Sequence, residues 1–190
     1  NCGSIHNTGE LILDFGTAIT GGVVSNFGIV RIESQQGATL HGVDVENLSG
    51  AIDVGTLPTA TRLVVDGGTI INGGALTIGS LDSFEVAALA SATLASVGVF
   101  NSGFVQVDNG STLNLLGSTI SGGVVSDNGI LRVTGDSAIN AAAIFGGLIT
   151  VDSNKTLTLD NTTVTGSTVT DGGTLRVDAG NTLNLSGVLL

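Results

Sequence analysis

Lys155–Gly180, KTLTLDNTTVTGSTVTDGGTLRVDAG, repeats Ser111–Asp136, STLNLLGSTISGGVVSDNGILRVTGD, at a shift of 44 residues, without a gap and with 11 identities in 26 positions. The identities fall on alternating apolar places (Leu113 with Leu157, Leu115 with Leu159, Leu131 with Leu175, Val133 with Val177) and on a turn, Asp127-x-Gly129 with Asp171-x-Gly173. Alternation at a period of two puts the apolar set on one face of a strand. One such strand cannot bury its face alone, so a chain built from this unit has to stack its copies.

Outward from that stretch, the same turn and apolar-x-apolar strand can be followed along the whole chain. The strands read LIL, VRI, IDV, LTI, VQV, LRV, ITV and LRV, ending at Leu13, Ile32, Val54, Ile78, Val107, Val133, Val151 and Val177. The spacings run from 18 to 29 residues, which predicts about eight rungs of a coil with variable corners. Ile5–Leu13 matches Val24–Ile32, so the first rung starts almost at the first residue. Six Asx-x-Gly corners recur, at Asn7, Asn26, Asn72, Asn101, Asp127 and Asp171. There the Asx side chain is expected to bond its own backbone and the Gly to supply positive φ. A second strand (Leu113-Asn-Leu115, Ile139-Asn-Ala141, Leu157-Thr-Leu159, Leu183-Asn-Leu185) and a third side around 120–125 and 164–169 complete each rung. The fold class is therefore all-β: a single-stranded parallel β-helix, or β-solenoid, for which the crossover rule favours right-handed winding. Residues 1–190 form one domain, with an enlarged, irregular corner around 79–98, where Ser83–Ser96 carries helix-compatible residues.

Composition agrees with a solenoid and excludes several classes. Thirty Gly, one Pro, six Phe and no Trp or Tyr argue against an ordinary close-packed globule, while 42 % apolar residues exclude a disordered chain. The formal net charge of −11 repels nucleic acid and anionic lipid, and no apolar run is long enough for a membrane-spanning helix. Nucleic acid and membrane insertion are thus not expected among its partners. Cys2 is the single cysteine and has no partner for an internal disulfide. The lack of Met and of a signal-like start reads as a processed or excised piece of a longer polypeptide or fibre.

Stacking predicts two outward rows. The middle residues of the strands give Ile12, Arg31, Asp53, Thr77, Gln106, Arg132, Thr150 and Arg176, with Arg31 beside Asp53 as an exposed ion pair. The residues just after the strands give an acidic row of Asp14, Glu33, Asp108, Asp152 and Asp178. In that row Asp14 with Glu33, and Asp152 with Asp178, would stand about 5 Å apart, splayed into solvent or bridged by a cation such as Ca2+. The GGxGxDxUx nonapeptide of dedicated calcium rolls is absent, and solvated carboxylates are the expectation. Polysaccharide-cleaving solenoids need paired acids in an aromatic-lined groove. Here the acids are spread over corners, and His6 and His41 read as exposed structural residues, so no catalytic, cofactor or metal residue is assigned and an enzyme is not expected. Thr156-x-Thr158, Thr163-x-Thr165 and Thr168-x-Thr170 suggest an ice-ordering face, but their counterparts one unit earlier are mixed.

The composite pattern GGxVxxxGxLxVxxGxTLxL, whose first part is Gly122–Val133 and whose third place onward is Thr168–Leu185, resembles the β-solenoid repeats of large bacterial surface and secreted adhesins, autotransporter passengers and filamentous-haemagglutinin-like stalks among them. The resemblance implies an extracellular, cell-surface stalk or fibre that carries adhesive regions or builds biofilm matrix, with other copies of itself and surface or matrix glycans as partners. The matching positions are structural, so it transfers no site residue. The alternatives are a glycan- or ice-binding solenoid using an outward Thr/Asn face and, behind it, a carbohydrate-active enzyme.

Overall fold

Short strands with inward Leu, Ile and Val at every second place, broken by Gly- and Asx-bearing corners every four to six residues, leave the backbone one way to pair: each strand beside its counterpart in the next winding. The computed structural model, which describes residues 3–55 and 59–190, has this form. Turn one holds β1 (Ser4–Asn7), β2 (Glu10–Ile12) and β3 (Thr17–Thr20); turn two β4 (Val23–Asn26), β5 (Ile29–Ile32) and β6 (Ala38–His41); turn three β7 (Asp44–Glu46), β8 (Ala51–Val54) and β9 (Arg62–Asp66). Then come β10 (Thr69–Asn72), β11 (Ala75–Ile78) and β12 (Ser83–Val86); β13 (Ser91–Ala95), β14 (Gly98–Asn101) and β15 (Phe104–Val107); and β16 (Thr112–Leu116), β17 (Thr119–Ser121) and β18 (Val124–Asp127). The last three turns are β19 (Ile130–Val133), β20 (Ser137–Asn140) and β21 (Ala143–Phe145); β22 (Leu148–Val151), β23 (Thr156–Asp160) and β24 (Thr162–Thr165); and β25 (Thr168–Asp171), β26 (Thr174–Arg176) and β27 (Leu183–Ser186). Every third strand joins the same sheet, giving three nine-stranded parallel sheets and a β-solenoid of nine turns. At about 4.8 Å per turn the stack is roughly 40 Å long.

The inward phase holds through the body of the stack, whereas Val177 and Leu185 of the last turn and Ala141, a corner residue at φ +53°, are exposed. Leu113, Leu115, Leu131, Val133, Leu157 and Leu159 are all buried in one apolar column that also takes Phe84, the one Phe of six that is enclosed. Each fully buried Leu or Ile stabilises the stack by about 1.5–3 kcal/mol relative to exposure.

The count and phase of the turns differ from the sequence reading, for one reason. The first four anchor strands, around Leu11, Val30, Ile52 and Leu76, do lie in register in the second sheet. Val105-Gln-Val107 lies in the third sheet, Leu131–Val133 and Ile149–Val151 in the first, and Leu175 back in the second. Each of the three longest spacings therefore spans four strands rather than three, and together they conceal one whole turn. In true register the successive turns are 19, 22, 24, 23, 21, 19, 20 and 18 residues. The 44-residue repeat has the same property: it carries β16–β19 onto β23–β26, seven strands or two and one-third turns. The three faces are near-equivalent, and one sequence module serves any of them.

Two further expectations are corrected. Residues 79–98 form no irregular or helical corner, because β12 and β13 alternate there with Phe84, Val86, Ala92 and Leu94 inward. The segments 120–125 and 164–169 are not single sides, since each crosses a corner at Gly122–Gly123 or Gly166. Cys2 lies outside the described residues.

Candidate functional site

The Asx corners form five of the six expected side-chain turns, with the amides of Gly9, Gly28, Gly103, Gly129 and Gly173 donating to the Oδ1 atoms of Asn7, Asn26, Asn101, Asp127 and Asp171. Asn72 is exposed and makes no such turn. Gly74 alone of the six corner glycines has the expected positive φ, at +65°, and elsewhere the Gly has a different cause. Gly28 and Gly129 are not in the positive-φ region; a Cβ on Gly28 would stand 2.0 Å from the Gly9 carbonyl oxygen, and one on Gly129 2.4 Å from that of Ser111. The preceding turn occupies the space, and only Gly fits. Between the first and second sheets, Asn7 Nδ2 donates to Asn26 Oδ1 at 2.7 Å and Asn26 Nδ2 to Asn47 Oδ1 at 2.6 Å, while Asn47 reaches the Gly73 and Ala75 carbonyls. This ladder is buried. Asn47, with no Asx-x-Gly spacing, was not legible as its third rung.

The predicted outward row divides among the three faces. Ile12, Arg31, Asp53 and Thr77 are in register on the second sheet, but the row continues as Phe100 and Ser121. Arg132 and Thr150 belong to the first sheet and Gln106 to the third. Arg31 turns to Glu10 at 2.7 Å, with Glu33 at 3.9 Å, instead of Asp53. The acidic row divides likewise: Asp14 and Glu33 share a corner, but Asp108, Asp152 and Asp178 follow strands of three different sheets, so Asp152 and Asp178 are not neighbours. Asp14 is no bare carboxylate, since its Oδ1 accepts the Glu33 and Ser34 amides at 3.1 and 2.8 Å. Asp152 binds Arg132 through two bonds of 3.0 Å, and Asp178 binds Arg176 at 2.5 Å. No group of three or more His, Cys, Asp or Glu side chains fit to hold a metal occurs among the described residues.

Two clusters escaped the sequence. On the third sheet, Glu85 lies near Asp108 and faces Arg62 at 3.7 Å, and Gln106 Nε2 donates to Asp108 at 2.6 Å. Burial, and then the Asp108 charge, push the Glu85 carboxyl above its usual range. The second cluster is the His41–Asp66 pair, Nδ1 to Oδ1 at 2.7 Å, beside Gly67, Gly68, Leu89 and Ser91 in a shallow open groove of ≈ 590 Å3. His41 is exposed, as expected, but orients on a carboxylate. Both pairs join residues more than 20 apart that face each other only across adjacent turns. Glu85 and Asp108 lie beyond the phase slip at Ile78, while His41 and Asp66 lie on β6 and β9, third-sheet strands that carry no anchor triplet, so neither pairing was read in advance.

Among the described residues, an apolar void of ≈ 10 Å3 lies among Leu11, Leu13, Val30 and Ile52 at the first turns. Outward Thr rows are short. Thr170 pairs with Thr150, and Arg132 comes next; Thr158 lies between Ala138 and Arg176. No protein family, curated protein or solved structure matches the chain.

Proposed function

We propose that the chain is a non-catalytic structural or adhesive rod of the bacterial cell exterior, joining copies end to end into a stalk, fibre or biofilm matrix. The observation that supports this best is the stack itself: nine turns pair strand on strand in three parallel sheets around one continuous apolar column, and each turn pairs only with its neighbours, so one winding is the template for the next. The paired arginines leave a predominantly acidic wall, which keeps rods from sticking side by side and directs association to the ends.

The test is sedimentation velocity with electron microscopy over a hundredfold range of concentration. Particles that lengthen in steps of one rod while keeping their width are the expected result. A strictly monomeric, folded rod at every concentration would overturn self-association. A glycan-binding solenoid is the second reading, supported by the groove beside His41 and Asp66. A glycan array with His41→Ala as control separates it, because a ligand lost on that substitution places recognition there.

A further inference from the structure

Asp127 is an acid in a place built for an amide. Its counterpart is Asn101, at the end of β14 as Asp127 is at the end of β18. Asn101 accepts the Gly103 amide through Oδ1 at 3.0 Å and donates through Nδ2 to the Gly122 and Val124 carbonyls of the next turn, at 3.4 and 3.2 Å. Asp127 repeats the first half, accepting the Gly129 amide at 2.9 Å. The next turn meets it in the same way: a Cβ on Gly123 would fall 2.4 Å from Asn101 Nδ2, and one on Gly147 2.1 Å from Asp127 Oδ2. Oδ2 thus stands where the Asn101 amide nitrogen stands, with the Gly146–Gly147–Leu148 backbone above it. It is buried and has no hydrogen-bond partner.

An ionised oxygen there would point a negative charge at carbonyl oxygens in a site closed to water. Among the described residues no three His, Cys, Asp or Glu side chains converge to hold a metal ion. A proton fits. We propose that Asp127 is held as the neutral acid in the folded solenoid, its Oδ2–H donating into the next turn's backbone at Gly146–Leu148, so that this corner is a proton-operated latch between the sixth and seventh turns. Loss of the proton to solvent removes the donor and leaves a carboxylate against carbonyls.

The titration of the group agrees. Burial pushes the carboxyl up from 3.8 to about 6, while the amides of Gly129 and Leu131 act the other way. No charged neighbour contributes to this shift. The ionisable residues on the strands packed around the corner are engaged elsewhere: Asp108 with Gln106 and Glu85, and Arg132 with Asp152. The folded chain therefore binds more protons than the unfolded chain between pH 3.8 and about 6, so stability falls as pH rises through that window and levels off above it.

The experiment is thermal unfolding from pH 4 to pH 8 for the wild type, Asp127→Asn and Glu85→Gln, with an NMR titration of the Asp127 carboxyl carbon in the folded wild type. D127N, which restores the Asn101 arrangement, is expected to melt higher than the wild type at pH 8 and to lose the Asp127 part of the pH slope; E85Q keeps it. The carboxyl carbon is expected to titrate one or more units above an ordinary aspartate. A carboxyl titrating at the ordinary value, or a D127N slope equal to that of the wild type, overturns the proposal. If D127N does not fold, the wild-type titration alone decides.

Discussion

Asn26 and Asp127 occupy corners of one design and differ by a single atom that meets the next turn. Both hold the amide two residues on through Oδ1. Asn26 then spends its two N–H bonds upward, on Asn47 Oδ1 and the Ala51 carbonyl at 2.6 and 3.0 Å, and is fully buried with every polar atom used. Asp127 is as deeply enclosed and leaves Oδ2 without a partner. A parallel stack needs a donor at the upper face of each corner, because the next turn presents carbonyls there. Asn supplies it at any pH, and Asp only when protonated.

The largest effect is expected where a charge has neither amide nor carbonyl near it. Leu157→Asp puts a carboxylate in the apolar column, where Leu157 is wholly buried, and should cost ~4 kcal/mol or more, enough to abolish the folded state in a circular-dichroism melt at pH 7. Leu113→Asp, its repeat mate on a different face, should do the same; a difference between the two would show that the three faces are not equivalent.

Asn26→Asp comes next. It sets a carboxylate oxygen against Asn47 Oδ1 and the Ala51 carbonyl and cuts the ladder that runs from Asn7. The expected loss is about 3 kcal/mol at pH 7, read from denaturant midpoints, with part regained at pH 4 as the new acid takes up a proton. Stability unchanged at pH 7 would mean that the corner tolerates an unpaired oxygen, and the contrast with Asp127 would lose its basis.

These corners also show what the sequence could and could not convey. The inward phase was legible because alternation is a local property: Leu113, Leu131 and Leu157 announce their faces within three residues. The five Asx turns were legible for the same reason, since donor and acceptor lie two residues apart. Which residues meet across turns depends on accumulated corner lengths. Near-equal faces let the reading slip by a third of a turn wherever a spacing reached 26 or more. Asp108, Asp152 and Asp178 were misplaced, and Glu85 with Asp108 missed, on that account; Arg31 and Asp53 were placed in register correctly but Arg31 turns to Glu10, and His41 and Asp66 lie before the slip on strands without an anchor triplet. The need for Gly at 28 and 129 was seen, but its cause, the backbone of the turn before, lies 18 or more residues away.

A milder conversion is Asn101→Asp. Asn101 donates at longer distances than Asn26 and belongs to no side-chain ladder. The substitution should cost about 1–2 kcal/mol at pH 8 and little at pH 4, transplanting the behaviour of Asp127 one turn earlier. A loss of equal size at both pH values would point to packing rather than protonation and would separate the two corners again.

The smallest effect is expected from Arg132→Gln. Arg132 lies five residues beyond Asp127 and is the nearest cation along the chain, but its guanidinium points outward and is held by Asp152 in two 3.0 Å bonds. Exposed pairs of this kind contribute little to stability, and less in high salt. If the acid at 127 is governed by the enclosed backbone above it, R132Q shifts the melting midpoint by a degree or two and leaves the carboxyl titration where it was. A titration that moves with R132Q would place the control of Asp127 on the outer surface, and the difference from Asn26 would then be one of neighbouring charge instead of a missing donor.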